Sequence, residues 1–193
     1  LVEFTKFRQR NFRHVIIFGS DFDRIKDIEA IVAQQIGRSP QGLQGVAVWR
    51  RDRPAVIRVA PIVRKQPFPT TFWLTDPELN LVLDRLEAGG AIATLQSQVD
   101  ADPAIAARMA QDHRAHQALR QRLWTSAQAR EVANSAFASV FESRGIGGIE
   151  ADDRIRCLHT WMASHLVVSN VIGEMTETLL PEGLLDDLTK ATD

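Results

Sequence analysis

One cysteine and five histidines carry all the thiol and imidazole chemistry of this chain. Cys157, His159 and His165 share the segment Arg156-Cys-Leu-His-Thr-Trp-Met-Ala-Ser-His165. Thiolate plus imidazole is a donor set that suits zinc. On one continuous helix, His159 falls about 200° and His165 about 80° around the axis from Cys157. Cys157 and His165 are also about 12 Å apart along that axis. One helix therefore does not bring all three to one ion. Cys157 and His159 share a site only if the helix starts later, or if ligands come from elsewhere. The same residues also read as a buried structural cysteine and a hydrogen-bonded core histidine on a central helix.

Asp112 and His116 interrupt an apolar stripe formed by Ile105, Met109, Leu119 and Leu123. A buried charge needs a partner, so each should pair with the other or with a third group. A carboxylate orienting an imidazole suits acid–base chemistry or the surroundings of a metal. His113 and Arg120 fall on the edge of that stripe, within reach of a cleft. Arg58 sits mid-strand, and Arg64-Lys65 follow in a loop. With Arg50, Arg51 and Arg53 they offer one basic sheet face, suited to a phosphorylated small molecule. Gly145-Ile-Gly-Gly148 precedes a helix but lacks the phosphate-loop pattern, and Asp152 and Asp153 would repel phosphate there. It reads as a helix–helix connection.

These residues need elements to position them. Ile25, Ile28, Ile31 and Val32 recur at helical spacing over 22–36, and Gly37 supplies a stop. Extended runs follow at Leu43–Arg50, Ala55–Ala60 and Phe68–Leu74, with a turn at 51–54 and a loop at 61–67. Thr75 and Glu78 fit a capping box for a helix running to Gly89-Gly90. Asp102 and Pro103 fit the cap and first position of a longer helix reaching about Trp124. Further helices are expected at 128–142 and from Asp152 to about Ser169. The leucine-rich acidic tail should hold one or two short helices. The fold class is α+β: an initial helix, a small antiparallel sheet of about three strands, then a mainly helical half. Residues 1–20 read as a basic, aromatic appendage to a single domain over 21–193.

Composition excludes several chemistries. With no tyrosine and one cysteine, there is no tyrosyl acid, internal disulfide or four-cysteine metal site. No nucleophile elbow, zinc-protease helix, phosphate loop or dinucleotide fingerprint is present. No apolar run approaches a membrane span and no signal peptide is visible, so a cytoplasmic protein is expected. The net charge of −1 hides a split. Residues 1–65 carry 13 Lys/Arg against 6 Asp/Glu, whereas residues 66–193 carry 10 against 18. Such a split marks an anion-facing end or two complementary halves packed together.

Several short motifs recur in a recognisable order: Gly37-Arg-Ser-Pro-Gln-Gly42, Gly45-Val-Ala47, Pro54-Ala-Val-Ile57, Pro67-Phe-Pro-Thr70, Phe72-Trp-Leu-Thr75 with Pro77, Arg85-Leu-Glu87 with Gly89, His113, Arg120, Gly145-Ile-Gly-Gly148 and Cys157-Leu-His159. Together, over about residues 28–175, they resemble the bacterial domain-of-unknown-function family 501. The resemblance implies a small cytosolic bacterial protein. Genes of the family often neighbour those for an exopolyphosphatase-like phosphatase, enolase and a septum-formation protein. Many relatives have cysteine where this chain has Asp76, some have another near Arg50-Arg51, and tyrosine often replaces His116. Asp76 could then act as an oxygen ligand and His116 as a nitrogen ligand.

Two functions follow as expectations. The first is a non-catalytic accessory protein that binds a phosphate-bearing ligand or a protein partner, through Arg58, Arg64, His113 and Arg120. The second is a metal-dependent (zinc or another divalent ion) or acid–base enzyme, a hydrolase for instance, using Asp76, His113, His116, Cys157 and His159. Nucleic acid is not an expected partner, since no RNA-recognition signature accompanies the arginines.

Overall fold

The computed structural model describes residues 21–191, with side chains from residue 27. The expected appendage at 1–20 lies outside the described residues. Helix α1 (Asp21–Ile36) ends at Gly37, whose φ of +71° is the left-handed turn anticipated there. Strands β1 (Leu43–Arg50) and β2 (Arg53–Val59) pair antiparallel around Arg51-Asp52. Their β-branched residues favour a pleated, half-buried surface. Within the expected loop at 61–67, β3 (Ile62–Val63) and β4 (Gln66–Pro67) form a two-residue ladder. Its turn is Arg64-Lys65, with φ of +51° and +62°, the conformation of a tight hairpin turn. Arg64 is therefore an exposed hairpin tip. Strand β5 (Phe72–Leu74) completes the run on the far side of β2.

Among the described residues, the main sheet has four antiparallel strands in the order β5-β2-β1-β6, one more than expected. The fourth, β6 (Leu188–Lys190), pairs with Val48–Arg50 of β1. It lies in the acidic tail, where short helices were expected. A three-residue strand is too short to show alternation, and its partner alone specifies it.

The helices follow as α2 (Pro77–Ala88), α3 (Ala91–Ala101), α4 (Pro103–Arg122), α5 (Ser126–Ala133), α6 (Ala138–Ser143), α7 (Leu158–Val167) and α8 (Val171–Glu177), with a 3-10 turn at Ile146–Gly148. Asp102 caps α4 through Ala104 N at 2.8 Å, as its sequence promised. Three expectations are corrected. The cap of α2 is Asp76, not a Thr75–Glu78 box: Asp76 Oδ1 accepts from Leu79 N at 2.8 Å. Thr75 is consumed by the sheet, its hydroxyl donating to Pro54 O at 2.9 Å and its N–H to Ala55 O. The helix expected at 128–142 is two helices, interrupted at 134–137. Most consequentially, α7 starts at Leu158 rather than Asp152. The preceding segment is held out of the helix by other helices: Gln96 of α3 bonds Asp153 O and Ile155 N, and Glu87 of α2 bonds Leu158 N.

The sheet separates two apolar layers. Val48, Val56, Phe72 and Leu74 face Leu79, Leu83, Met109, Leu158, Trp161 and Met162 in the main core. Ile57 and Val59 turn to the other side, against Val32 of α1. Helix α7 is central, touching β5, β1, α2 and α8, and burying it removes from water side chains worth about 1.5–3 kcal/mol each.

Candidate functional site

Strand alternation turns Arg58 away from the α1 layer, toward the end of α4. There Arg58, Thr71 and Arg120 meet around a cavity of about 10 Å³, with Gln44, Phe68 and Trp124 completing its wall. That is room for about one water-sized group. Arg120 is 1% exposed and held by backbone carbonyls from three places: Pro69, Phe141 and Arg144. No carboxylate pairs with it among the described residues. Burial lowers its guanidinium to about 10, so it stays charged at neutral pH. Arg58 Nε, Arg120 Nε and the Thr71 hydroxyl are buried with no hydrogen-bond partner. Buried polar groups are almost always paired, so three orphans around one cavity are a local surplus of donors.

Two arginines of the expected basic face are paired with acids. Arg50 is drawn inward to Asp76 Oδ1 at 3.1 Å and Glu78 Oε2 at 2.9 Å, and Arg51 pairs with Asp187 at 2.7 Å. Arg64, on its hairpin tip, is not part of the cavity wall.

His113 and Arg120, expected at the edge of the α4 stripe, lie at its buried centre with Met109 and His116. His113 Nδ1 accepts from Ile146 N at 2.9 Å, which places the ring proton on Nε2. A Cβ on Gly145 would overlap this ring, so the glycine is required by the close approach. His113 and Arg120 together pin the Gly145–Gly148 connection. His116 Nδ1 lies 3.0 Å from Ser164 Oγ. Burial lowers His113 to about 4, opposed by Asp152. Burial, then Arg120 and His113, lower His116 to about 3. Both rings are neutral at neutral pH. Asp112 does not pair with His116; its Oδ2 accepts from Val171 N at 2.7 Å. Each found a third group.

The late start of α7 changes the geometry of Cys157 and His159. Cys157 is the N-cap, in an extended conformation (φ −159°, ψ 124°), and His159 is in the first turn. The two side chains point to one side, with Sγ and Nδ1 3.5 Å apart. His165, 9% exposed, bonds Asn170 and Glu177 instead. Asp76, eleven residues before Glu87 on α2, lies about 16 Å from it along the helix. It caps α2 and binds Arg50, and it does not join the cysteine. Nor does His116, which stays with Ser164. What does join is Glu87, whose Oε1 is 3.1 Å from His159 Nδ1 and 2.6 Å from Leu158 N. On the other ring edge, Asp84 Oδ1 and Asn80 O lie 3.2 and 3.3 Å from Nε2. Burial alone would lower His159, but the bond and charge of Cys157, then Glu87, raise it to about 9.

Sequence reasoning missed Thr71, Asp84 and Glu87 as site residues. Asn80, Asp84 and Glu87 recur at i, i+4 and i+7, a polar stripe that places them on one face of α2. That stripe was the available signal. Among the described residues no helix is long and apolar enough to cross a membrane. No curated protein and no solved structure matches the chain. Residues 46–178, most of the chain, match the model of the family described as "Protein of unknown function (DUF501)", a span that includes the Cys157 cluster and the cavity wall apart from Gln44, and the chain belongs to that family.

Proposed function

We propose that this protein is a bacterial cytoplasmic accessory protein that binds a phosphate-bearing ligand, without catalysis, through Arg58, Thr71 and Arg120. The observation that carries the reading is the set of three buried, unpartnered donors around one cavity, two of them guanidinium nitrogens. Guanidinium and hydroxyl donors suit a phosphoryl oxygen. Arg120 is already fixed by its carbonyls, so little ordering entropy opposes binding. The cavity accepts one oxygen of the ligand, while the other oxygens stay at its mouth.

Calorimetric titration of the full chain with inorganic phosphate, pyrophosphate and sulfate tests this. Phosphoanion binding should weaken at least ~10-fold in Arg58→Gln, the loss of one charged hydrogen-bonding partner. Arg64→Gln should bind as the parent does. Absence of binding by all three anions, or an unaffected Arg58→Gln, overturns the reading.

A further inference from the structure

We infer that Glu87, Cys157 and His159 form a binding site for a single zinc-type divalent cation, with Asp84 as the residue that orients the imidazole. One ligand atom from each of the three lies within 4.8 Å of the other two. They come from two elements, the last turn of α2 and the start of α7, so the cluster is a product of the tertiary fold. Tetrahedral zinc with usual bond lengths separates sulfur from nitrogen, and nitrogen from oxygen, by about 3.4–3.6 Å. The Sγ–Nδ1 distance is 3.5 Å and the Nδ1–Oε1 distance 3.1 Å. The third pair, Sγ and the Glu87 carboxylate, lies within 4.8 Å, so side-chain rotation at the carboxylate is what brings the three donors to zinc spacing.

The donor chemistry selects the ion. Thiolate, imidazole and carboxylate together suit zinc, whereas magnesium and calcium prefer oxygen alone. The surroundings also fit. A zinc-bound histidine usually gives its second ring N–H to a carboxylate or carbonyl. Here Nε2 faces both, Asp84 Oδ1 and Asn80 O, leaving Nδ1 toward the cluster. The Leu158 N–H fixes Glu87 Oε1 at the point where the donors converge. All three ligands are half-buried, so a cation can enter, and a fourth position remains for water or a small ligand. Binding displaces the Nδ1 proton, and the thiol proton where it is present.

The test uses the full chain, stripped of metal and titrated with zinc against a chromophoric chelator, and separately loaded with cobalt(II). One equivalent of zinc should bind. The cobalt form should show thiolate-to-cobalt charge transfer and the intense visible bands of four-coordination. Cys157→Ser should abolish the charge transfer. Glu87→Gln should weaken zinc by at least ~100-fold and Asp84→Asn by about 10-fold. Arg58→Gln should leave zinc binding unchanged, which separates this site from the anion cavity. No stoichiometric zinc, a cobalt spectrum without the thiolate band, or undiminished binding in Cys157→Ser overturns the assignment. The parent cobalt spectrum decides the question even where a variant fails to fold.

Discussion

Gly145 and His113 share one space, and the glycine is what yields. An alanine there must displace the ring or the connection, and overpacking of this kind costs about 1–3 kcal/mol. Gly145→Ala should lower the urea midpoint accordingly, whereas Gly45→Ala, whose added Cβ meets nothing within 4 Å, should leave it nearly unchanged. The histidines of α4 make stability depend on pH. Unfolded, both titrate near 6.5; folded, His113 titrates at about 4 and His116 at about 3. Between those values the unfolded chain binds more protons, so stability rises with pH there. Their contribution is complete above about pH 6.5 and is lost as the pH falls toward 4, by up to about 1.4 kcal/mol per unit for each ring. Urea melts at pH 7, 6 and 5 should trace this slope. Its persistence undiminished in His113→Gln would refute the assignment of one share to that ring.

At the scale of elements, Asp76 combines two roles that separate by substitution. It caps α2 and binds Arg50, which is itself mostly buried. Asp76→Asn keeps the cap and loses the ion pair, while Asp76→Ala loses both. Thermal melts should rank parent above Asn above Ala, with the missing cap costing about 0.5–2 kcal/mol; equal Asn and Ala variants would show that the cap adds nothing. The edge of β1 gives a second prediction. A chain ended after Asp186 lacks β6 and leaves Val48–Arg50 unpaired. Exposed strand edges template association, so this chain should form higher-order species on gel filtration, and a monomer as stable as the parent would refute the role given to β6. These same elements show what the sequence could and could not reveal. Helix α4 was legible because its cap, its proline and its stripe all act locally. The two long strands were legible from β-branched residues and an intervening turn. The start of α7 was not, because Glu87 and Gln96, distant in sequence, hold residues 154–157 out of the helix. The pairing of Cys157 with His159 depended on that late start and was legible only as a condition. Arg58 and Arg120 were legible as basic residues, but their meeting needed the register of β2 against α4.

For the whole molecule, the charge split resolves partly into packing between the basic early part of the chain and the acidic later part. Arg50 reaches Glu78, and Arg51 reaches Asp187 across 136 residues. The Arg51 pair is largely exposed, and such pairs contribute about 0–1 kcal/mol, so the split serves orientation more than stability. Arg58 and Arg120 are the basic residues that no acid neutralises at the cavity, and the Cys157 cluster lies at a different junction, between α2 and α7. Ligand occupancy at either junction would stabilise the folded chain by mass action, through different elements. The pairing of β1 with the tail also sets a clock. Residues separated by 136 positions, made at about 5–20 per second, emerge from a ribosome about 7–27 s apart. For that interval the outer edge of β1 has been synthesised and its β6 partner has not. During synthesis, anything that shields that edge, a chaperone or the ribosome surface itself, must cover a hydrogen-bonding strand until β6 arrives to replace it.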